Sequence, residues 1–174
     1  KCPVCRKAIM WDELICKDCL EKLPFLDDKH ITKCESNVEF ICSLFEYSGS
    51  ARNGIMNLKL REGVNLAEYS VNLLCNYLRN QKIPDEIELI TSVPMRGIIK
   101  RNRGYNQAEI IAKYVSRELN KPVNNKLLKC RRSKLKQHEL NAIDRFKNAE
   151  NSYVQKNKHF DIKNYQVLLD SSFF

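Results

Sequence analysis

IELITSVPMRGIIKRNRGYNQAEIIAKYVSREL, residues 87–119, is the stretch whose reading decides the fold. Its first seven residues, Ile87 to Val93, form a short apolar run bounded by Pro84 and Pro94, the signature of a strand buried on both faces. A basic loop is expected next. A helix is then predicted over 106–119, where Ala108, Ile111, Ala112, Val115 and Leu119 recur at helical spacing and Asn106 stands where a cap belongs. A second buried strand, Tyr165-Gln166-Val167-Leu168-Leu169, ends in Asp170. Strand, helix, strand in this order predicts an α/β domain built on a parallel sheet.

Upstream of that core, Val38 to Tyr47 is rich in strand formers and turns at Ser48-Gly49. Helices are predicted over 50–61 and 65–79, separated by Gly63, with Cys75 read as a core residue. Residues 121–136 are polar and basic, and 138–150 fit another helix. At the start of the chain, Cys2-x2-Cys5 and Cys16-x2-Cys19 form two knuckles ten residues apart, while Cys34, Cys42, Cys75 and Cys130 are scattered. Two knuckles supply four thiolates, a complete tetrahedral shell for a structural zinc ion with no position left open for chemistry. A redox role for either knuckle lacks an adjoining thioredoxin-like strand and helix. The second knuckle runs into a short helix stopped by Pro24, and Trp11, between the knuckles, is expected to pack over the finger.

The 174 residues are 43% apolar, enough for one ordinary domain and an appendage, and no apolar run is long enough to span a bilayer. No signal peptide is visible, so a cytoplasmic protein is expected. The formal charge of +9 is unevenly placed. Residues 96–136 hold 13 Lys/Arg against only Glu109 and Glu118, whereas residues 1–95 hold 12 against 14. Such a stretch points to a polyanion, either nucleic acid or a phosphorylated small molecule. The histidines, His30, His138 and His159, sit in no metal-ligand or triad spacing, so nucleophilic hydrolysis has no candidate machinery.

Taken in order, these pieces resemble the ComF family, named for bacterial competence for DNA uptake and carrying an amidophosphoribosyltransferase-like domain. The match rests on the cysteine finger leading into Leu23-Pro24, on Leu58-Lys59-Leu60-Arg61-Glu62-Gly63, and on Val93-Pro94-Met95 with Arg103-Gly104-Tyr105-Asn106-Gln107. Gln137, Leu140, Arg145 and Asn148 complete it. The resemblance implies a four-cysteine zinc finger and linker over 1–36 and a type I phosphoribosyltransferase-like domain over 37–174. It further implies a DNA-handling protein that binds single-stranded DNA during natural transformation and partners the uptake helicase. The alternative is a phosphoribosyltransferase using phosphoribosyl pyrophosphate (PRPP) and Mg2+ on an unknown acceptor.

In the related fold the loop after the 87–93 strand faces pyrophosphate, which implies Arg96, Gly97 and Arg103 as PRPP contacts, Gly97 giving backbone room. Asp170 matches one of two acids that hold the ribose. The Thr/Gly-rich phosphate loop expected next is replaced by Ser171-Ser172-Phe173-Phe174, so the native chain is expected to continue past Asp170. Lys100, Arg101, Arg131, Arg132, Lys134, Lys136 and Arg145 are the nucleic-acid candidates. Residues 129–136 fit a loop closing over PRPP and a basic arm for DNA equally well.

Overall fold

The computed structural model describes residues 1–26, 31–33, 40–60, 63–131, 152–156 and 167–170, those at 31–33, 40 and 167–170 by their backbone alone. The chain divides into two compact units, one spanning Lys1–Lys82 and the other running from Ile83 onward.

The first unit opens with the knuckles and α1 (Lys17–Leu20). A short antiparallel pair follows, β1 (Ile31–Lys33) with β2 (Phe40–Cys42), in the register Ile31 opposite Cys42. The strand expected as far as Tyr47 stops at Cys42, although Phe45 makes an isolated antiparallel bridge to Phe25, with the two rings 5.0 Å apart. Helices α2 (Gly49–Leu58) and α3 (Val64–Asn80) come next, close to their predicted bounds. The buried positions of α3 are Leu66 and its neighbour Ala67, then Val71, Cys75 and Leu78 at further steps of four, four and three, which keeps them on one side. Gly63 lies between the helices because a Cβ there would run into the Leu58 backbone. The knuckles do not have a core to themselves: Cys2, Val4, Ile15, Cys19 and Leu23 pack with Ala51 of α2 and Leu66 of α3.

The second unit is organised by β3 (Leu89–Ser92), whose four residues are all buried. It pairs in parallel with β6 (Val167–Asp170), which sets Ser92 opposite Asp170. Helix α5 (Gln107–Leu119) lies against both strands and buries Ile111, Ala112, Val115 and Leu119. After α5 the chain returns along the other edge of β3: Ile90 N donates to Pro122 O, and Asn124 N donates to Ile90 O, both at 2.8 Å. β3 therefore lies between two parallel neighbours, as a strand apolar throughout should. The unit is mixed helix and strand.

Two segments differ from the sequence reading. The basic loop expected after β3 contains a helix, α4 (Gly97–Arg103), which buries none of its residues. The basic stretch after Pro122 contains β4 (Leu128–Cys130), paired antiparallel with β5 (Tyr153–Gln155). The helix expected over 138–150 falls outside the described residues.

Candidate functional site

Two places gather chemistry-bearing side chains. The first is the pair of knuckles. The Cys2 and Arg6 amides close the first turn onto Lys7 O and Cys2 O, and Arg6 takes the left-handed conformation the turn requires, with φ of 65°. The second knuckle opens α1, with the Cys19 and Leu20 amides returning to Cys16 O. Asn57 of α2 clamps the first turn from outside. Its Nδ2 donates to Pro3 O at 2.7 Å and Val4 O at 3.2 Å, while its Oδ1 accepts from Arg6 at 3.2 Å. Nothing local in the sequence marks this residue, which lies more than fifty positions from its partners.

The result is four sulfurs, from Cys2, Cys5, Cys16 and Cys19, all within 4.8 Å of one another, with Cys5 Sγ and Cys16 Sγ 3.7 Å apart. Cys2 and Cys19 are buried, Cys16 is half-buried and Cys5 is exposed. Burial pushes the Cys2 thiol up, but the amides of Cys5, Cys16 and Val4 outweigh it and bring it down to about 6. Cys19 moves the opposite way, raised by burial and then by the thiols of Cys16, Cys5 and Cys2. Four sulfurs this close cannot all ionise unaided, and a divalent cation removes the conflict. The donor set therefore fits a metal ion held by four thiolates. Trp11 does not pack over this finger. It is 93% exposed, on a turn closed by Glu13 N to Met10 O at 3.2 Å and by Met10 N to Glu13 Oε2 at 3.1 Å.

The second place is the end of β3, together with α4 and the start of α5. Asn106 fastens the start of α5 to the end of β3: its Oδ1 accepts from Ala108 N at 3.2 Å, and its Nδ2 donates to Val93 O at 3.0 Å. It is thus cap and strap together, which fixes where the intervening α4 can stand. Gly104 closes α4 in the left-handed region, at φ of 84°. Lys100 reaches from α4 to Glu109 of α5, with Nζ 2.6 and 2.7 Å from the two carboxylate oxygens.

Among the other nucleic-acid candidates, Arg101 and Arg131 are exposed. Arg132, Lys134, Lys136 and Arg145 lie outside the described residues. Among the PRPP candidates, Arg96 is half-buried at the N-cap of α4 and Arg103 is half-buried at its last turn. Gly97 is exposed, and a Cβ there would meet nothing within 4 Å, so no neighbour requires its missing side chain. Asp170 is the last residue of β6.

The stretch contains two acids, and both are engaged: Glu109 by Lys100, and Glu118 by Arg117 at 3.5 Å. Arg101, Arg103, Lys113, Lys121, Lys126, Lys129 and Arg131 have no carboxylate partner among the described residues. The β4–β5 pair comes within electrostatic reach of the α4 end. The Tyr153 hydroxyl is raised by burial and by Cys130 opposite it, and lowered by Arg96. One further group stands out: Ser92 Oγ, fully buried where β3 ends, has no hydrogen-bond partner among the described residues. No helix among the described residues is long and apolar enough to cross a membrane. Comparison of the chain with known protein families, curated proteins and solved structures returns no match.

Proposed function

We propose that this is a zinc-stapled protein of the ComF type that binds single-stranded DNA through the cations of its second unit. One observation carries the reading. Of the charged groups described between Arg96 and Arg131, both acids are consumed by a lysine and an arginine, and seven cations remain without a carboxylate. Unpaired cations at this density release counterions from a phosphate backbone and bind it with a steep salt dependence. The ComF resemblance adds the setting: a cytoplasmic factor that receives DNA from the uptake machinery and works beside its helicase.

Zinc is the metal that best suits four thiolates, and a tetrahedral site with sulfur about 2.3 Å from the ion has sulfur–sulfur edges of about 3.8 Å. The 3.7 Å between Cys5 and Cys16 supports that assignment. In this reading Cys2, Cys5, Cys16 and Cys19 hold the ion, and it serves the fold.

The deciding experiment is fluorescence anisotropy with a labelled poly(dT) oligonucleotide over a salt series. Binding should weaken steeply with salt, and Lys129→Ala with Arg131→Ala should flatten the log–log slope by about one unit per lost contact. Salt-independent binding, or none, removes the reading.

A second reading, PRPP held at the carboxyl ends of β3 and β6, is favoured by Ser92, which pairs with Asp170 in the strand register and whose buried Oγ has no hydrogen-bond partner among the described residues. Ligands of open parallel sheets bind at that edge. Arg96 and Arg103 would meet the phosphates, and Asp170, with Mg2+, the ribose side. Calorimetry with PRPP and Mg2+ on the wild type and on Asp170→Asn tests it. Equal heats from both would place the ligand elsewhere.

A further inference from the structure

α4 is a helix with no reason to be apolar. It has seven residues, buries none of them, and is secured by Lys100 on Glu109 and by the left-handed Gly104. Helices this short are marginal in water unless packing supports them. Yet it carries two neighbouring isoleucines, Ile98 at 61% exposure and Ile99 at 39%. Neither belongs to the core of the unit.

Helical spacing says what they stand beside. Ile98 and Arg101 are three apart, and Ile99 and Arg103 are four apart, so each isoleucine shares a face with an arginine that has no carboxylate partner among the described residues. The element therefore offers the same pair twice, an apolar contact next to a cation. A ligand that matches has an apolar surface beside each anion. Duplex DNA hides its base faces in the stack, whereas a single strand exposes a base face next to every phosphate. A bilayer surface is the poorer match, because interfacial helices bury a broad apolar face and two side chains do not make one.

We propose that Ile98 and Ile99 are base contacts, and that they give this surface its preference for single-stranded over duplex DNA. The inference rests on the DNA-binding reading above and adds the residues that select the strand state. Arg101 and Arg103 hold phosphates, and the isoleucines wedge against or between unstacked bases, as aliphatic side chains do where proteins separate base steps.

The test compares wild type with Ile98→Ala/Ile99→Ala, on poly(dT) and on a mixed-sequence duplex of the same length, each over a salt series. Both positions are exposed and alanine favours helix, so folding should be untouched, and far-UV circular dichroism checks it. Affinity for poly(dT) should fall about tenfold through lost apolar contact, with duplex affinity within about twofold and the salt slope unchanged. Arg101→Ala should instead weaken both ligands and lower the slope by about one. If the wild type binds poly(dT) and the double variant binds it equally well, the inference falls and the DNA reading stands. Equal loss on both ligands also overturns it, since strand selection would not lie there. Tighter wild-type binding to phosphatidylglycerol vesicles than to poly(dT) would make the patch a membrane contact and overturn it. No DNA binding by the wild type removes both readings.

Discussion

Replacing Asn106 separates its two jobs. The side chain is 3% exposed and makes one bond to the first turn of α5 and one to the last carbonyl before the Val93–Pro94 exit. Alanine loses the cap, worth about 1 kcal/mol. It also orphans a buried carbonyl, at about 1–3 kcal/mol. The sum is about 2–4 kcal/mol for Asn106→Ala. Asn106→Asp is the sharper probe, because aspartate caps helices as well as asparagine. On capping alone it should be silent. Here it sets a carboxylate oxygen against Val93 O, in a buried place where asparagine offers a donor at 3.0 Å. It should therefore cost at least as much as alanine. Native-state hydrogen exchange at Ile111, Ala112 and Val115 reads the second unit directly, whereas Trp11 fluorescence reports only the first. Exchange there should accelerate roughly thirtyfold or more in both variants. Wild-type protection in Asn106→Asp would show that the bond to Val93 contributes nothing, and the argument for the strap would fail.

Three other outcomes are expected. Cys42 is held at about 11 by burial, so its alkylation at pH 8 should be slow and should rise about tenfold per pH unit toward that value, as mass spectrometry would show. The same shift favours the protonated thiol in the folded chain, so its contribution to stability is full below the unfolded pKa near 8.5 and is lost as pH rises through about 11. Gly63→Ala drives a Cβ into the Leu58 backbone and should lower the stability of the first unit by about 1–3 kcal/mol in urea titration. Metal analysis should find about one equivalent of zinc, lost in Cys16→Ser/Cys19→Ser.

The sequence made legible those elements whose burial follows a period. α5 and α3 carry apolar residues at three and four, and β3 is an apolar run between prolines, so each was readable to within a few residues. α4 was not, because it buries nothing and so has no pattern. Its order comes from Lys100 meeting Glu109 and from Gly104, contacts that leave no apolar period in the sequence. β4 and β5 were hidden for another reason: each has three residues and its partner lies more than twenty positions away. The knuckles announced the four thiols but not the clamp, since Asn57 acts across fifty residues. Trp11 misled because apolar character suggests burial on average, while a turn fastened by Glu13 holds this one outward.

In the proposed reading the metal serves the fold and not the nucleic acid, because of where charge and apolar packing lie. The unit ending at Lys82 has twelve Lys/Arg against eleven Asp/Glu, and the remainder has eighteen against ten. A nearly neutral unit exerts little attraction on a polyanion, so the proposed DNA binding should owe its salt dependence to the second. The knuckles are also too short to build a core of their own, and such pieces need a staple. Here Cys2 and Cys19 are core residues alongside Ala51 and Leu66, so releasing the ion should loosen α2 and α3 together with the finger. Chelation of the full chain should therefore speed hydrogen exchange at Leu66, Ala67 and Val71, while exchange at Ile111 and Val115 and the salt slope for poly(dT) stay as they were. A slope that collapses while α5 remains protected would show the finger contacting DNA itself, and would move the binding surface to the first unit.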